Sequence, residues 1–72
     1  YTSIRFEVPV AGKVTVTLYS VLGEELEVLA HNYYQPGVYT VGWNAAGRPS
    51  GVYFYRMTAG NFTATRKLIL MK

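Results

Sequence analysis

Hydrophobic and polar positions alternate with a period of two along most of this chain, which is the periodicity of β-strands. The clearest case is Val14, Val16 and Leu18, which alternate with lysine, threonine and tyrosine. Ile4 and Phe6 begin a similar run near the start of the chain. Such a pattern is typical of strands that place one face in a core and the other face in water.

Turn signals separate these runs and divide the chain into six predicted strands. The signals are glycine- or proline-containing pairs, at Ala11-Gly12, Leu22-Gly23, Pro36-Gly37 and Gly60-Asn61. The predicted strands span residues 3–8, 13–19, 24–31, 38–44, 52–59 and 62–71, with loops at 32–37 and 45–51. A seventh strand would lie at Tyr33-Tyr34 or just before Tyr1. The expected fold is all-β, an antiparallel two-sheet β-sandwich of six to seven strands.

The predicted core follows from the inward positions of these strands. In the fifth strand, Tyr53, Tyr55 and Met57 share one face, whereas Val52 and Phe54 share the other with an arginine. The predicted core residues are Ile4, Phe6, Val14, Val16, Leu18, Leu26, Val28, Val41, Trp43, Tyr53, Tyr55, Leu68 and Leu70.

Composition is consistent with one small, densely packed domain. The 72 residues are 50% hydrophobic and 15% aromatic, and a domain of this size buries only about 60% of its unfolded surface. There is no cysteine and therefore no disulfide framework. The net charge of +3 is too small to indicate nucleic-acid binding. No apolar stretch approaches the ~20 residues of a membrane helix, and the missing initial methionine predicts excision from a longer protein.

Catalytic and metal chemistry are not expected, because the chain has no cysteine and no aspartate and has one histidine, His31. A serine nucleophile would need a base and an orienting acid within reach. Glu25, Glu27 and His31 share a strand face by period two, but that face is expected to be a solvated edge. No cofactor is predicted either, since the glycines occur singly at turns.

Two further motifs have an ordinary structural interpretation. Asn61-Phe62-Thr63 fits the glycosylation acceptor pattern, but Asn61 is expected instead to adopt a left-handed turn conformation. Tyr33 and Tyr34 could form a platform on which a sugar ring stacks; the alternative is that the pair caps one end of the core.

The last strand is the strongest candidate for contact with a partner. Leu68 and Leu70 are predicted to face the core, so Ile69 and Met71 would point outward beside lysines at both ends of the segment. An outward apolar pair on an edge strand invites pairing with another chain unless it is covered. The alternatives are a strand buried on both faces, an edge blunted by the lysines, docking of another protein by strand addition, or a homodimer through an edge strand.

Five blocks, in order along the whole chain, resemble the type A C-terminal sorting domain of the bacterial type IX (Por) secretion system. These blocks are residues 2–9, 14–23, 37–44, 49–55 and 67–72. The resemblance implies an immunoglobulin-like sandwich that carries a cargo protein across the outer membrane through a translocon. It also implies that a sortase removes the domain and anchors the cargo at the cell surface, so the cargo would be secreted or surface-bound by way of the periplasm.

The resemblance also suggests which residues a partner would read. By position, the family's terminal signal corresponds to Lys67, Leu68, Ile69, Leu70, Met71 and Lys72, and its glycine-aromatic strand to Gly51, Tyr53 and Tyr55. The chain begins too late to show the usual asparagine- and proline-rich lead-in, and Ser20 stands where the family often has aspartate. The rival interpretation is a structural or carbohydrate-binding module, including the immunoglobulin-like part of a flagellar hook-capping protein.

Overall fold

Six β-strands run through residues 2–71, the part of the chain that the computed structural model describes. Their bounds are β1 (Thr2–Val8), β2 (Gly12–Ser20), β3 (Glu25–Tyr34), β4 (Gly37–Trp43), β5 (Gly51–Ala59) and β6 (Phe62–Leu70). Each corresponds to a strand predicted from the sequence. The predicted loop at 32–37 is shorter than expected, because β3 continues through Tyr33 and Tyr34. These tyrosines therefore belong to β3 and form no seventh strand, and the position before Tyr1 lies outside the described residues.

The strands form two antiparallel sheets, as expected for an all-β fold of this kind. The larger sheet has the order β3-β2-β5-β6, and the smaller one contains β1 and β4. Each hairpin of the larger sheet joins neighbours in the sequence, whereas β2 and β5 meet through a longer connection. Strands β1 and β4 pair over their full length, from Thr2 opposite Trp43 to Val8 opposite Gly37.

The core lies between the two sheets and consists of two adjoining clusters. One is built around Trp43, whose ring meets that of Tyr53 edge-on at 5.2 Å; the other is built around Phe6 and Met57. Most of the predicted core residues are buried or partly buried. Three buried hydrophobic residues were absent from the predicted core: Val8, Ala45 and Met57.

Val28 is the one predicted core residue that the structure places at the surface, with 50% of its area exposed. The cause is irregular pairing between β2 and β3, which shifts register between Val16 and Thr17 and again between Leu18 and Tyr19. Each shift adds a residue to β3 and breaks its alternation. As a result, Leu29 and Leu26 pack against the core instead.

Glycine and serine, rather than asparagine, shape the two hairpin turns of the larger sheet. Gly60 has a φ of +61°, and no described residue other than glycine has positive φ, so the expected left-handed conformation of Asn61 is wrong. In a type II′ hairpin turn, the first of the two central residues is a glycine with positive φ. In the β2–β3 turn, the Ser20 hydroxyl accepts hydrogen bonds from the backbone N–H groups of Leu22 and Glu24, both at 3.2 Å.

Candidate functional site

Strand β6, the candidate recognition strand, lies at the edge of the larger sheet. Its nine residues pair with β5 in unbroken antiparallel register, from Phe62 opposite Ala59 to Leu70 opposite Gly51. The other edge of β6 pairs with no strand within residues 2–71. Backbone N–H and C=O groups along such an edge are available to another chain.

The inner face of β6 attaches the strand to the core. Leu70 is 6% exposed and belongs to the cluster around Trp43, and Leu68 is partly buried against the same cluster. Leu68 lies directly opposite Tyr53 on β5. The sequence prediction that Leu68 and Leu70 face inward is confirmed, so both side chains help to fix the strand to the core.

The outer face of β6 is open to solvent and carries Ile69, Lys67 and two threonines. Ile69 is 58% exposed and lies opposite Val52, which is 36% exposed. In the next row across the sheet, Lys67 lies opposite the partly buried Phe54, which in turn lies opposite Tyr19 of β2. We call these five residues, Tyr19, Val52, Phe54, Lys67 and Ile69, the outer patch.

Residues at the end of the chain extend this exposed surface. Met71, which directly follows β6, is 85% exposed, so the outward direction predicted for both Ile69 and Met71 agrees with the structure. Lys72, the last residue of the predicted recognition segment, lies outside the described residues. Exposed apolar residues that cluster on one face are typical of protein contact sites.

Gly51, Tyr53 and Tyr55, the other candidate residues, have architectural contacts. Tyr53 is buried, and its hydroxyl donates a hydrogen bond to the Pro49 carbonyl oxygen at 2.6 Å. The Tyr55 hydroxyl donates to the Arg5 carbonyl oxygen at 3.1 Å and so connects the larger sheet to β1. Gly51 starts β5 with a φ of +156°, a backbone conformation that residues with a Cβ rarely adopt.

A groove of about 550 Å³ opens on the side of the domain where β1 and β6 approach each other. Its floor includes Tyr55 and Met57 of β5, and its β6 wall includes Ala64 and Arg66. Arg5 lines the opposite wall on β1. We call this space the β1–β6 groove; the sequence pattern gave no signal for it, because it depends on how the two sheets are placed.

The remaining candidate groups do not assemble into a chemical site. The Nδ1 atom of His31 lies 2.9 Å from the hydroxyl oxygen of Thr15, its neighbour across the β2–β3 pair. Within residues 2–71, no three histidine, cysteine, aspartate or glutamate side chains are grouped as a metal site would require. The same residues contain no helix with the length and apolarity needed to cross a membrane.

Tyr33 and Tyr34 do not present a shared aromatic platform. The Tyr34 ring meets the Phe6 ring edge-on at 5.4 Å and the Tyr39 ring at 4.7 Å, so it caps the second core cluster. Tyr33 is on the solvent side with 58% exposure. Tyr33 and Tyr34 point to opposite faces, as successive residues of a strand do. The prediction that this pair caps one end of the core therefore fits Tyr34.

Two antiparallel sheets with an apolar patch on an open edge strand define a β-domain suited to contact with other proteins. The chain belongs to the secretion system C-terminal sorting domain family, whose model matches residues 1–71. It is a type IX secretion sorting domain, and this family is not an enzyme family. Comparison with curated proteins and with solved structures returned no significant match. The family resemblance seen in the sequence is therefore confirmed over essentially the whole chain.

Three residues of the outer patch were not among the predicted recognition residues: Tyr19, Val52 and Phe54. A signal for the last two was present in the sequence, because alternation in β5 separates Val52 and Phe54 from the core-facing tyrosines. What the sequence could not supply was the register, which sets Val52 beside Ile69 and Phe54 beside Lys67.

Proposed function

We propose that this sorting domain is recognised in its folded form by the type IX outer-membrane translocon, through the outer patch. The observation that carries the proposal is the division of β6 into two faces. Leu70 is 6% exposed and fixes the strand to the core, whereas Ile69 is 58% exposed beside Val52. A partner can therefore contact Ile69 and Val52 without any unfolding of the domain.

The same proposal includes the later fate of the cargo. After passage from the periplasm through the translocon, a cell-surface sortase removes the domain and attaches the cargo to the surface. The support for this step is membership of the family that the model of residues 1–71 defines. The cargo is accordingly a secreted or surface-bound protein, and translocon and sortase proteins are the partners of the domain.

We further propose that the fold is immunoglobulin-like. In such folds one sheet carries the strand order C′-C-F-G and the other places B beside E, which matches β3-β2-β5-β6 and β1-β4. Strand F of these domains commonly starts near a tyrosine whose hydroxyl bonds to backbone a few residues upstream. Tyr53, near the start of β5, makes such a bond to Pro49, four residues earlier.

The experiment that tests recognition compares two aspartate substitutions on the same sheet face. A periplasmic reporter is fused ahead of the domain in a bacterium that has a type IX system, and the fraction of reporter outside the cell is measured. Ile69→Asp places a charge in the outer patch. Val28→Asp is the matched control, because Val28 is also on an edge strand of the larger sheet and is 50% exposed, against 58% for Ile69.

The expected result is loss of export for Ile69→Asp and retained export for Val28→Asp. Circular dichroism of the two purified domains checks that both are folded. Equal export of the two folded variants would show that the outer patch is not the surface that the translocon reads.

A further inference from the structure

The two edges of the larger sheet differ in how readily they can accept another strand. Strand β3 carries two register shifts against its neighbour β2, and bulges of this kind bend a strand and hinder pairing at its outer side. Strand β6 keeps continuous register with β5 over all nine residues. By backbone geometry, β6 is the edge of this sheet that is suited to strand addition.

The middle of β6 carries two adjacent cationic residues. Arg66 faces the inner side of the strand and lines the β1–β6 groove, whose charged lining also includes Arg5 and Glu7 of β1. Lys67 lies on the outer face opposite Phe54. Arg66 and Lys67 are both exposed. A strand added to this edge would place successive side chains beside Arg66 and then beside Lys67, on alternate faces.

These charges disfavour pairing of β6 with β6 of a second copy. The antiparallel register that pairs all nine residues of β6 places Arg66 opposite the same residue of the other copy, with Lys67 on the diagonal. Like charges directly opposite one another destabilise a strand pair. Pairing with β6 of a second copy is therefore disfavoured at this edge, whereas pairing with a strand that carries carboxylates is favoured.

The β1–β6 groove also favours an apolar side chain in a strand bound at this edge. Ala64 lies two residues from Arg66 on the same inward side, opposite Met57, and both line the groove. Because alanine is small, space remains above Met57 at this position. A side chain two residues from the inward carboxylate would enter this space and cover the apolar floor.

We propose that the outer edge of β6 binds an extended segment of a partner protein that carries two adjacent acidic residues, with an apolar residue two positions from the inward-facing one. The inward carboxylate pairs with Arg66, and the outward carboxylate pairs with Lys67. This assignment adds the chemistry of the partner to the proposed role of β6 and rests on that role for its biological setting.

The test uses the complete 72-residue chain and three synthetic peptides as probes. Each peptide has nine residues, to match β6, with blocked ends and alternating threonine and valine. The first has two adjacent glutamates at its centre and a leucine two positions away; the others carry glutamine or lysine pairs instead. We expect the glutamate peptide to bind about fivefold more tightly than the glutamine peptide, since a favourable exposed ion pair contributes up to about this factor and weaker pairs contribute less.

Amide chemical shifts locate the bound peptide. The expected changes are confined to β6 and to residues 5–9, which flank the groove. Changes centred on β3, no binding at about 1 mM peptide, or equal binding of the glutamate and lysine peptides would each overturn the proposal. Analytical ultracentrifugation of the free chain is expected to show a monomer, and a dimer that Arg66→Ser strengthens would identify a second copy as the occupant.

A charge exchange separates recognition from a structural effect. The double variant Arg66→Glu, Lys67→Glu is expected to reverse the preference, so that the lysine peptide binds more tightly than the glutamate peptide. Lys13→Glu is the control: Lys13 is exposed on β2, away from the edge, and its reversal should leave the preference unchanged. An unreversed preference in the double variant would contradict the proposal, whereas the export result for Ile69→Asp would stand independently.

Discussion

The two faces of β6 should differ sharply in what they contribute to stability. Leu70→Ala removes a side chain that is 6% exposed and packed in the cluster around Trp43. Truncation of a buried leucine to alanine costs about 2–5 kcal/mol of unfolding free energy. Because Leu70 lies at the end of an edge strand, we expect a loss at the lower end of this range, about 2–3 kcal/mol. A domain of 72 residues has a total stability of about 4–11 kcal/mol, so this loss would be large.

Ile69→Ala is the matched change on the adjacent residue. Ile69 is 58% exposed, and substitutions at exposed positions usually change stability by less than about 0.5 kcal/mol. Urea unfolding followed by tryptophan fluorescence measures both variants, because the single tryptophan, Trp43, is 1% exposed and reports directly on the core. In thermal unfolding, Leu70→Ala should lower Tm by about 10–20 °C.

Similar losses of unfolding free energy in the two variants would contradict the assignment of Leu70 to the core and of Ile69 to the exposed face. Equal destabilisation would mean that Ile69 is covered in solution, either by a second copy or by a different register of β6. Dependence of the midpoint on protein concentration would identify the first of these causes.

Three further predictions concern the start of β5 and the β2–β3 turn. Gly51→Ala should destabilise the domain by about 1–3 kcal/mol through backbone strain, since φ is +156° although a Cβ there would meet nothing within 4 Å; a loss below about 0.3 kcal/mol in urea unfolding would contradict this. Tyr53→Phe should cost about 1 kcal/mol through the lost hydrogen bond to Pro49, and an unchanged midpoint would mean that this bond contributes nothing. Ser20→Ala should lower stability by about 1 kcal/mol, whereas Ser20→Asp should retain most of it because a carboxylate can accept the same two N–H groups; equal losses would refute that role.

Alternation alone predicted most of the fold. Because β1, the inner part of β2 and β6 follow a period of two without interruption, their inward and outward residues were assigned correctly, including Leu70 and Ile69. The same rule failed for Val28 in β3, where two register shifts break the period. The apolar run Val28-Leu29-Ala30 interrupts the alternation in the sequence, but which of its residues faces the core depends on the pairing with β2.

The candidate site was only partly predictable. The exposed Ile69 follows from the sequence, but its neighbour Val52 follows from pairing between β5 and β6. The β1–β6 groove was not predictable, because it depends on the separation of two strands in different sheets that are about 60 residues apart in sequence. The hydrogen bond from Tyr55 to Arg5 across the two sheets has the same origin.

Export of a reporter fused to folded variants tests most directly whether the translocon recognises the outer patch, because it separates recognition of β6 from folding of the domain. The account predicts that Ile69→Asp leaves the reporter in the periplasm, while Val28→Asp, at a similarly exposed position, releases it as the unmodified domain does. Full release of the reporter by a folded Ile69→Asp domain would contradict recognition through the outer patch.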